Sequence, residues 1–287
     1  MNYRHAFHAG NIGDVLKHAV LARVITYLQA KPGGIRIIDT HAGIGLYDLT
    51  KGDALKTGEW RQGICKILEA NPPKQIAELL APWLDVVRDM PENADGLKVY
   101  PGSPVLARRL MRPQDRLSVT ELHPDDYKRL AELFAGDVHV KAIELDGWNA
   151  LRGFVPPKES RGVVLVDPAF EETNDFQTLA TGIYKAWRRF GTGCYIAWYP
   201  IKDRKTVNRF YDAMSQAGIP RIQITELMAA KPRAGGPMTG SGLLMINAPW
   251  TLKAELQTLL PWLTKVVAQG AGADWRFFDL TGEIKEG

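Results

Sequence analysis

The chain has 287 residues, with 36 Lys and Arg against 32 Asp and Glu, 45% hydrophobic and 24% charged positions, a balance that excludes fibrous or extensively disordered architectures. The formal charge of +4 permits nucleic-acid or phosphate partners without requiring them, so the placement of charge matters more than its sum. Two cysteines, Cys65 and Cys194, supply neither a disulfide framework nor a four-thiolate zinc site, and a reducing cytoplasm is expected.

The opening MNYRHAFHAGN contains no apolar signal core, and the apolar stretch at 15–28 is interrupted by Lys17, His18 and Arg23. Neither a secretion signal nor a membrane span is expected. Asp14 is placed as the cap of a helix reaching about Gln29, because Val15, Ala19, Val20 and Val24 recur at helical spacing and Lys31, Pro32 and Gly33 stop it. Asp14, Lys17 and His18 share one side of its first turn, while Leu21, Ile25 and Leu28 continue that side as apolar. This predicts a buried helix with a polar end.

Residues 35–38 form a short β-branched run followed by Asp39 and the loop THAGIG, the pattern of a buried parallel strand. Similar runs recur at 117–122, 138–145, 163–166, 195–198, 221–227 and 243–246, mostly separated by helical segments such as 125–134, 175–190 and 203–217. The alternation predicts an α/β fold, a mainly parallel seven-stranded sheet covered on both faces. A Gly- and Pro-rich connection at 229–242 replaces a helix before the last run, so an antiparallel last strand is expected. Helix-compatible pieces at 60–69 and 75–89 predict a small insertion, giving segments 1–47, 48–97 and 98–287.

In an open α/β sheet, ligands bind outside the carboxyl ends of the strands. Asp39 ends the first strand ahead of Gly43 and Gly45, Glu121 ends the next, and Asp146, followed by Gly147, ends the third. Any one such acid is commonly just a loop cap, but their ordered recurrence describes a pocket for an adenosine-containing cofactor, with Glu121 on ribose hydroxyls and the Asp146 turn on an adenine edge. A dinucleotide fingerprint would place a third glycine where Asp48 stands, and no Walker loop is present. S-adenosyl-L-methionine has no phosphate and carries a sulfonium cation, which suits a loop flanked by Asp39 and served by Asp167.

The fourth strand runs into Asp167-Pro168-Ala169-Phe170, one step from the D/N-P-P-Y/F signature of enzymes that methylate exocyclic amines of nucleobases. An adenine N6 lone pair is delocalised into the ring. Acceptors aimed at its N–H bonds, here the Asp167 carboxylate and the Pro168 carbonyl, draw it toward tetrahedral geometry, and Phe170 would stack on an extruded base. The plain alternative is a strand-to-loop corner, since D-P turns are common.

The motifs YRHAFHAGNIGDVLKH, DTHAGIGLY, YPGSP, TELHP, DG at Asp146, DPAFE, WYP and TGSGLLMINAPW extend over nearly the whole chain. Through them it closely resembles the large-subunit ribosomal RNA adenine N6-methyltransferase family called RlmJ. The resemblance implies a Rossmann-like class I methyltransferase with a helical insertion, S-adenosylmethionine as donor, and an adenine of 23S rRNA as acceptor, in protein-free or early-assembly RNA. A monomer is expected. Carried over by position, His18, His41, Ser103, Glu121, Asp146, Gly147 and Asp167 would contact the cofactor. Asp167 would be catalytic, with Pro168 and Phe170 beside it, and Tyr3, His5 and Lys17 would lie on the substrate side. Ala169 departs from the family's usual second proline, which puts about 0.4–1 kcal/mol of loop preorganisation in question and predicts a slower but active enzyme.

His5, His8, His18 and His41 crowd the first 41 residues without completing a zinc spacing, so no metal is expected. Lys185, Arg188, Arg189, Lys202, Arg204, Lys205 and Arg209 face only Asp203 and form either solvated helix faces or a phosphate-tracking surface, which Arg108, Arg109 and Arg112 could extend. The insertion is more acidic than basic, and Trp198 is a candidate wall of the base pocket. Competing readings are a DNA adenine methyltransferase and a non-catalytic RNA-binding protein of the same fold.

Overall fold

A computed structural model describes residues 4–233 and 235–283. Helix α1 (Ile12–Leu28) is capped by Asn11, not Asp14: the Asn11 side-chain oxygen accepts the N–H groups of Gly13 and Asp14 at 2.7 and 3.2 Å. The Asp14 carboxylate is instead engaged inside the protein. From Ile12 to Ile25 every residue except Arg23 is buried, Asp14, Lys17 and His18 included, as the polar-ended pattern predicts.

The chain continues through β1 (Arg36–Asp39) and β2 (Leu46–Asp48), then helices α2 (Gly52–Thr57), α3 (Ile64–Glu69) and α4 (Lys74–Arg88). Strand β3 (Val99–Pro101) pairs antiparallel with β2, so the chain between them leaves and returns through one short ribbon. Buried Trp83, Leu80 and Leu84 of α4 join the core cluster that also holds much of α1. Then follow α5 (Ser103–Leu110), β4 (Arg116–Glu121), α6 (Pro124–Leu133), β5 (Val140–Glu144), α7 (Gly147–Gly153), β6 (Gly162–Val166) and α8 (Asp175–Arg189). The last part comprises β7 (Cys194–Ile201), α9 (Arg204–Gln216), β8 (Ile222–Met228), β9 (Gly240–Ile246), α10 (Leu252–Val267) and β10 (Asp274–Asp279).

All seven expected strands are present in a sheet of order β10-β8-β9-β7-β6-β1-β4-β5, and an eighth, β10, extends its edge. Strands β5, β4, β1, β6 and β7 are parallel; β9 runs antiparallel between β7 and β8, and β10 is antiparallel to β8. The sequence DWRFFD of β10 is half-exposed and lacks the β-branched run that marks a buried strand, which is why its periodicity went unread. Along β6 the side chains alternate between two cores. Val163 and Leu165 pack with α1, α5 and α10, whereas Val164 and Val166 pack with α8 and α9. Strand order reverses between β1 and β6, and the carboxyl ends of β5, β4, β1 and β6 stand side by side there. Among the described residues no helix is long and apolar enough to cross a membrane.

Candidate active site

Each of these strand ends delivers an acid. Asp39 is buried and accepts the Ser103 hydroxyl at 2.6 Å and the His41 N–H at 3.3 Å. Burial pushes its carboxyl up to about 6; the Ser103 hydrogen bond opposes the shift and nearby Asp167 adds to it. Glu121 is aimed by two backbone amides, Gly43 N–H at 2.9 Å on one oxygen and His123 N–H at 2.8 Å on the other. Asp146 caps α7 through Asn149 N–H at 2.9 Å. Behind that cap, a Cβ on Gly147 would fall 2.4 Å from both His41 Nε2 and the Thr40 carbonyl oxygen, so no larger residue fits. Gly43 has φ +59°, and a side chain there would meet the Tyr47 hydroxyl at 2.2 Å. The His41 ring, bonded to the Thr40 hydroxyl at 2.8 Å, is pushed down to about 4 by burial and stays neutral at physiological pH.

Asp167 leaves β6 into the DPAF loop. Lys17 Nζ, itself buried, donates to Asp167 Oδ2 and lies 2.8 Å from Asp14 Oδ1. The other oxygen of Asp14 accepts Gly10 N–H at 2.7 Å and meets His5 Nε2 at 3.1 Å. Burial works against both charges. For Lys17 the facing carboxylates of Asp14 and Asp167 outweigh it and hold the ammonium above its ordinary range; for Asp14, Lys17 and then His5 and His18 hold the carboxyl well below the usual carboxylate range. His18 is fully buried, bonded to the Tyr100 hydroxyl at 2.6 Å, and burial pushes it down to about 3.

Phe170 sits at φ +53°, a left-handed conformation that costs a bulky residue about 1–3 kcal/mol. Its ring lies 4.8 Å from that of Phe176 and edge-on to Trp198 at 5.7 Å, and Trp198 is fixed by a 2.8 Å bond from Nε1 to the Ser241 hydroxyl. A strained backbone held by packed aromatics is a feature of sites that must present a ring in one orientation.

Two cavities meet at this loop. One contains His41, Glu121, Asp146 and Gly147; the other, of about 570 Å³, contains Lys17, Gly13, Trp198, Pro200 and Met238. Asp167, Ala169, Phe170 and His5 belong to both walls. Among the described residues the first cavity is lined by seven carboxylates and no Lys or Arg, which suits a cationic nucleoside and repels a phosphate-bearing one. With the glycine cradle at 147 and the oriented Glu121, this chain's residues fit S-adenosylmethionine.

Of the predicted residues, the structure brings His41, Glu121, Asp146, Gly147, Asp167, Pro168 and Phe170 into one cleft. Ser103 and His18 line a small recess behind it, and His5 and Lys17 stand at the junction, the Lys17 ammonium held between two carboxylates and not facing solvent. Tyr3 lies outside the described residues. His5 is bonded to Asp14, His18 to the Tyr100 hydroxyl and His41 to the Thr40 hydroxyl, and among the described residues no cluster of ligating side chains is arranged around a metal position. Sequence reasoning misassigned Asp14 as a cap, although its spacing of three from Lys17 was visible. It passed over Glu59, which reaches from the insertion to His8 at 3.0 Å and Asn11 at 2.9 Å on the wall of the second cavity. No local signal marked Glu59, because its partners lie about fifty residues away.

A parallel sheet with a switch point between β1 and β6, acids at consecutive strand ends and a DPAF loop joining two cavities define a Rossmann-like methyltransferase. The model of a family described as "Ribosomal RNA large subunit methyltransferase D, RlmJ" matches residues 33–277. A Haemophilus influenzae protein named Ribosomal RNA large subunit methyltransferase J is 36% identical over 99% of this chain and 100% of its own. An Escherichia coli protein of the same name is 38% identical over 95% of this chain and 96% of its own. A solved Legionella pneumophila protein superposes with a TM-score of 0.84 at 32% identity, covering 95% of this chain and 98% of that one. The chain belongs to the RlmJ family and is a methyltransferase.

Proposed function

We propose that this methyltransferase transfers a methyl group to the exocyclic N6 of an adenine in 23S rRNA, the base being turned out of its helix into the cavity beside Phe170. The observation that carries this reading is the shared wall: Asp167, Ala169 and Phe170 border the acid-lined cavity on one side and the aromatic-walled cavity on the other. When bound, S-adenosylmethionine supplies an electrophilic methyl group on a sulfonium. Glu121 orients the ribose hydroxyls, the Gly147 cradle beside His41 admits the adenine edge, and the surrounding carboxylates favour the cation.

Lys17 occupies Asp167 Oδ2, so Oδ1 is the oxygen left to accept an amine N–H, with the Pro168 carbonyl as the second acceptor. Neither has to reorganise as charge develops on the amine, because a buried ion pair holds one and the strand end holds the other. Phe170 and Trp198 offer ring surfaces to a planar base. Asp14 acts at one remove, holding Lys17 and His5 together behind Asp167. Residues 48–97 serve as an inserted subdomain whose Thr57, Glu59 and Gln62 close the far wall of the acceptor cavity. The enzyme acts as a monomer in the cytoplasm, on protein-free or early-assembly RNA.

The test is methyl transfer to unmodified, deproteinised 23S rRNA with the product nucleoside identified by mass spectrometry. N6-methyladenosine is expected from the wild type. Methylation of duplex DNA alone would sink the acceptor assignment, and tight cofactor binding without transfer to either polymer would favour a non-catalytic protein.

A further inference from the structure

We propose that Lys202, Lys205, Lys231 and Arg233 form the surface that tracks the phosphates flanking the extruded nucleotide, on single-stranded RNA beside the acceptor cavity. This rests on the RNA reading above. Strands β7 and β8 run the same way, so the segments following both emerge on the edge of the sheet that carries the site. Lys202 leaves β7 and lines the acceptor cavity with Pro200 and Trp198, and Lys205 stands in the first turn of α9. The connection after β8 carries Lys231 and Arg233 and sends Gly236, Pro237 and Met238 into the same cavity wall. Within it Lys231 N–H bonds the Ala271 carbonyl at 3.1 Å and Gly236 N–H bonds the Arg233 carbonyl at 2.9 Å.

All four side chains are exposed, and none forms an ion pair with a described carboxylate. The nearest acid in sequence, Asp203, is engaged as the cap of α9 by the Lys205 and Thr206 amides and the Thr206 hydroxyl. Most other cations of the apparent sequence patch are placed otherwise, Arg109 and Arg209 being exposed without an ion pair to a described carboxylate. Helix α8 starts at Asp175 in the cofactor cleft and runs back to the opposite edge, where Arg189 donates to the Val155 carbonyl at 3.0 Å, so Lys185 and Arg188 lie far from the chemistry. Arg204 is bonded to buried Glu226, Arg108 to Asp137 and Arg112 to Asp115. Of the four, Lys202 lines the acceptor cavity and the other three stand within five residues of its lining residues Lys202 and Gly236, while among the described residues the cofactor cavity is lined by carboxylates and no Lys or Arg. That asymmetry steers a polyanion onto one mouth of the site and away from the other.

The experiment compares Lys202→Gln/Lys205→Gln and Lys231→Gln/Arg233→Gln with wild type, using Lys185→Gln/Arg188→Gln as the far-edge control. The binding probe is an adenine-containing single-stranded RNA of about 20 nucleotides, titrated at several salt concentrations. For each rim pair we expect about tenfold weaker binding and a salt dependence shallower by about 1.4 in log–log slope, since each lost phosphate contact on a single strand removes about 0.7. The binding of S-adenosylmethionine by the rim variants stays within about twofold of wild type, and the far-edge pair, which lies away from the site, behaves as wild type in RNA binding, salt slope and methyl transfer. Rim variants with wild-type affinity and slope overturn the proposal, as does an equal loss in the far-edge pair. Because binding is read without turnover, a wild type that binds RNA through the rim yet methylates no rRNA removes the reaction reading and leaves the surface.

Discussion

The two cavities on either side of the DPAF loop are built on opposite electrostatic plans. On the cofactor side backbone amides hold the carboxylates of Glu121 and Asp146 in place, and among the described residues no Lys or Arg lines the wall. On the other side Phe170 and Trp198 stand in the wall, one buried ammonium bridges Asp14 and Asp167, and the exposed Lys202 lines the opening. In the reaction proposed here a sulfonium donor and a polyanionic acceptor would have to meet at one atom without exchanging places. The difference shows how a single carboxylate can serve both: Asp167 faces the acidic cavity, yet its charge is tied to Lys17 from the acceptor side.

That comparison is broken most severely at Asp167. Asp167→Asn is expected to lower methyl transfer about 10²–10³-fold, the range seen on removing one preorganised polar group from a reacting centre. The same variant should keep S-adenosylmethionine binding within a few-fold by calorimetry, and loss of binding with unchanged turnover per bound complex would move Asp167 to the cofactor side only. Asp14→Asn strikes the tie between the halves. Removing one partner of a buried ion pair costs about 3–5 kcal/mol, read as a lowered denaturant midpoint. Asp14→Asn/Lys17→Met should recover most of that stability but not the activity, because the missing ammonium no longer fixes Asp167 Oδ2. Recovery of both would make the pair purely structural.

Gly147→Ala tests the cofactor side by shape alone. With His41 and the Thr40 carbonyl 2.4 Å from the new Cβ, the cradle must open, at a cost of about 1–3 kcal/mol. The loss should appear in cofactor affinity before acceptor affinity.

The pH dependence of stability separates the buried histidines from the buried acid. His18 and His41 titrate near 3 and 4 when folded against an ordinary 6.5, so unfolding takes up their protons and their contribution, complete above pH 6.5, is lost as pH falls through the folded values. Asp39, raised from 3.8 to about 6, has the opposite sign: its contribution is complete below 3.8 and is lost as pH rises through 6. Near pH 5 two protons gained against one released leave a net uptake of one on unfolding, so stability should rise by about 1.4 kcal/mol per pH unit. Asp39→Asn should make that slope about twice as steep, and an unchanged slope would place the Asp39 titration elsewhere.

The smallest effect is expected at Ala169. Ala169→Pro should change stability by about 0.4–1 kcal/mol and raise the transfer rate by less than about fivefold. A rate unaltered by proline would show that Phe170, locked between Phe176 and Trp198, already supplies the rigidity.

Most of the fold was legible because buried parallel strands advertise themselves as short β-branched runs, and the residue that ends each run is adjacent to it in sequence. Asp39, Glu121 and Asp146 could be placed without coordinates for that reason. The edge strand β10 escaped because an exposed strand has no such signature, and Asp14 was misplaced because Asn11, three residues earlier, satisfies the helix end at 2.7 Å. The basic cluster at 185–209 was the least legible feature. In a parallel sheet, successive helices carry their first and last turns to opposite edges, so cations close in sequence part company in space.

The sequence by itself determined the alternation of strands and helices, the order of acids along the strand ends and the DPAF corner, since each is written in neighbouring residues. Only the tertiary structure decided that Lys17 reaches Asp167 across 150 positions, that Arg204 is engaged by Glu226, and that of the exposed cations at 185–209 Lys202 lines the second cavity. Partnership between charges depends on distance and burial, and both are set by packing between segments that local sequence does not bring together.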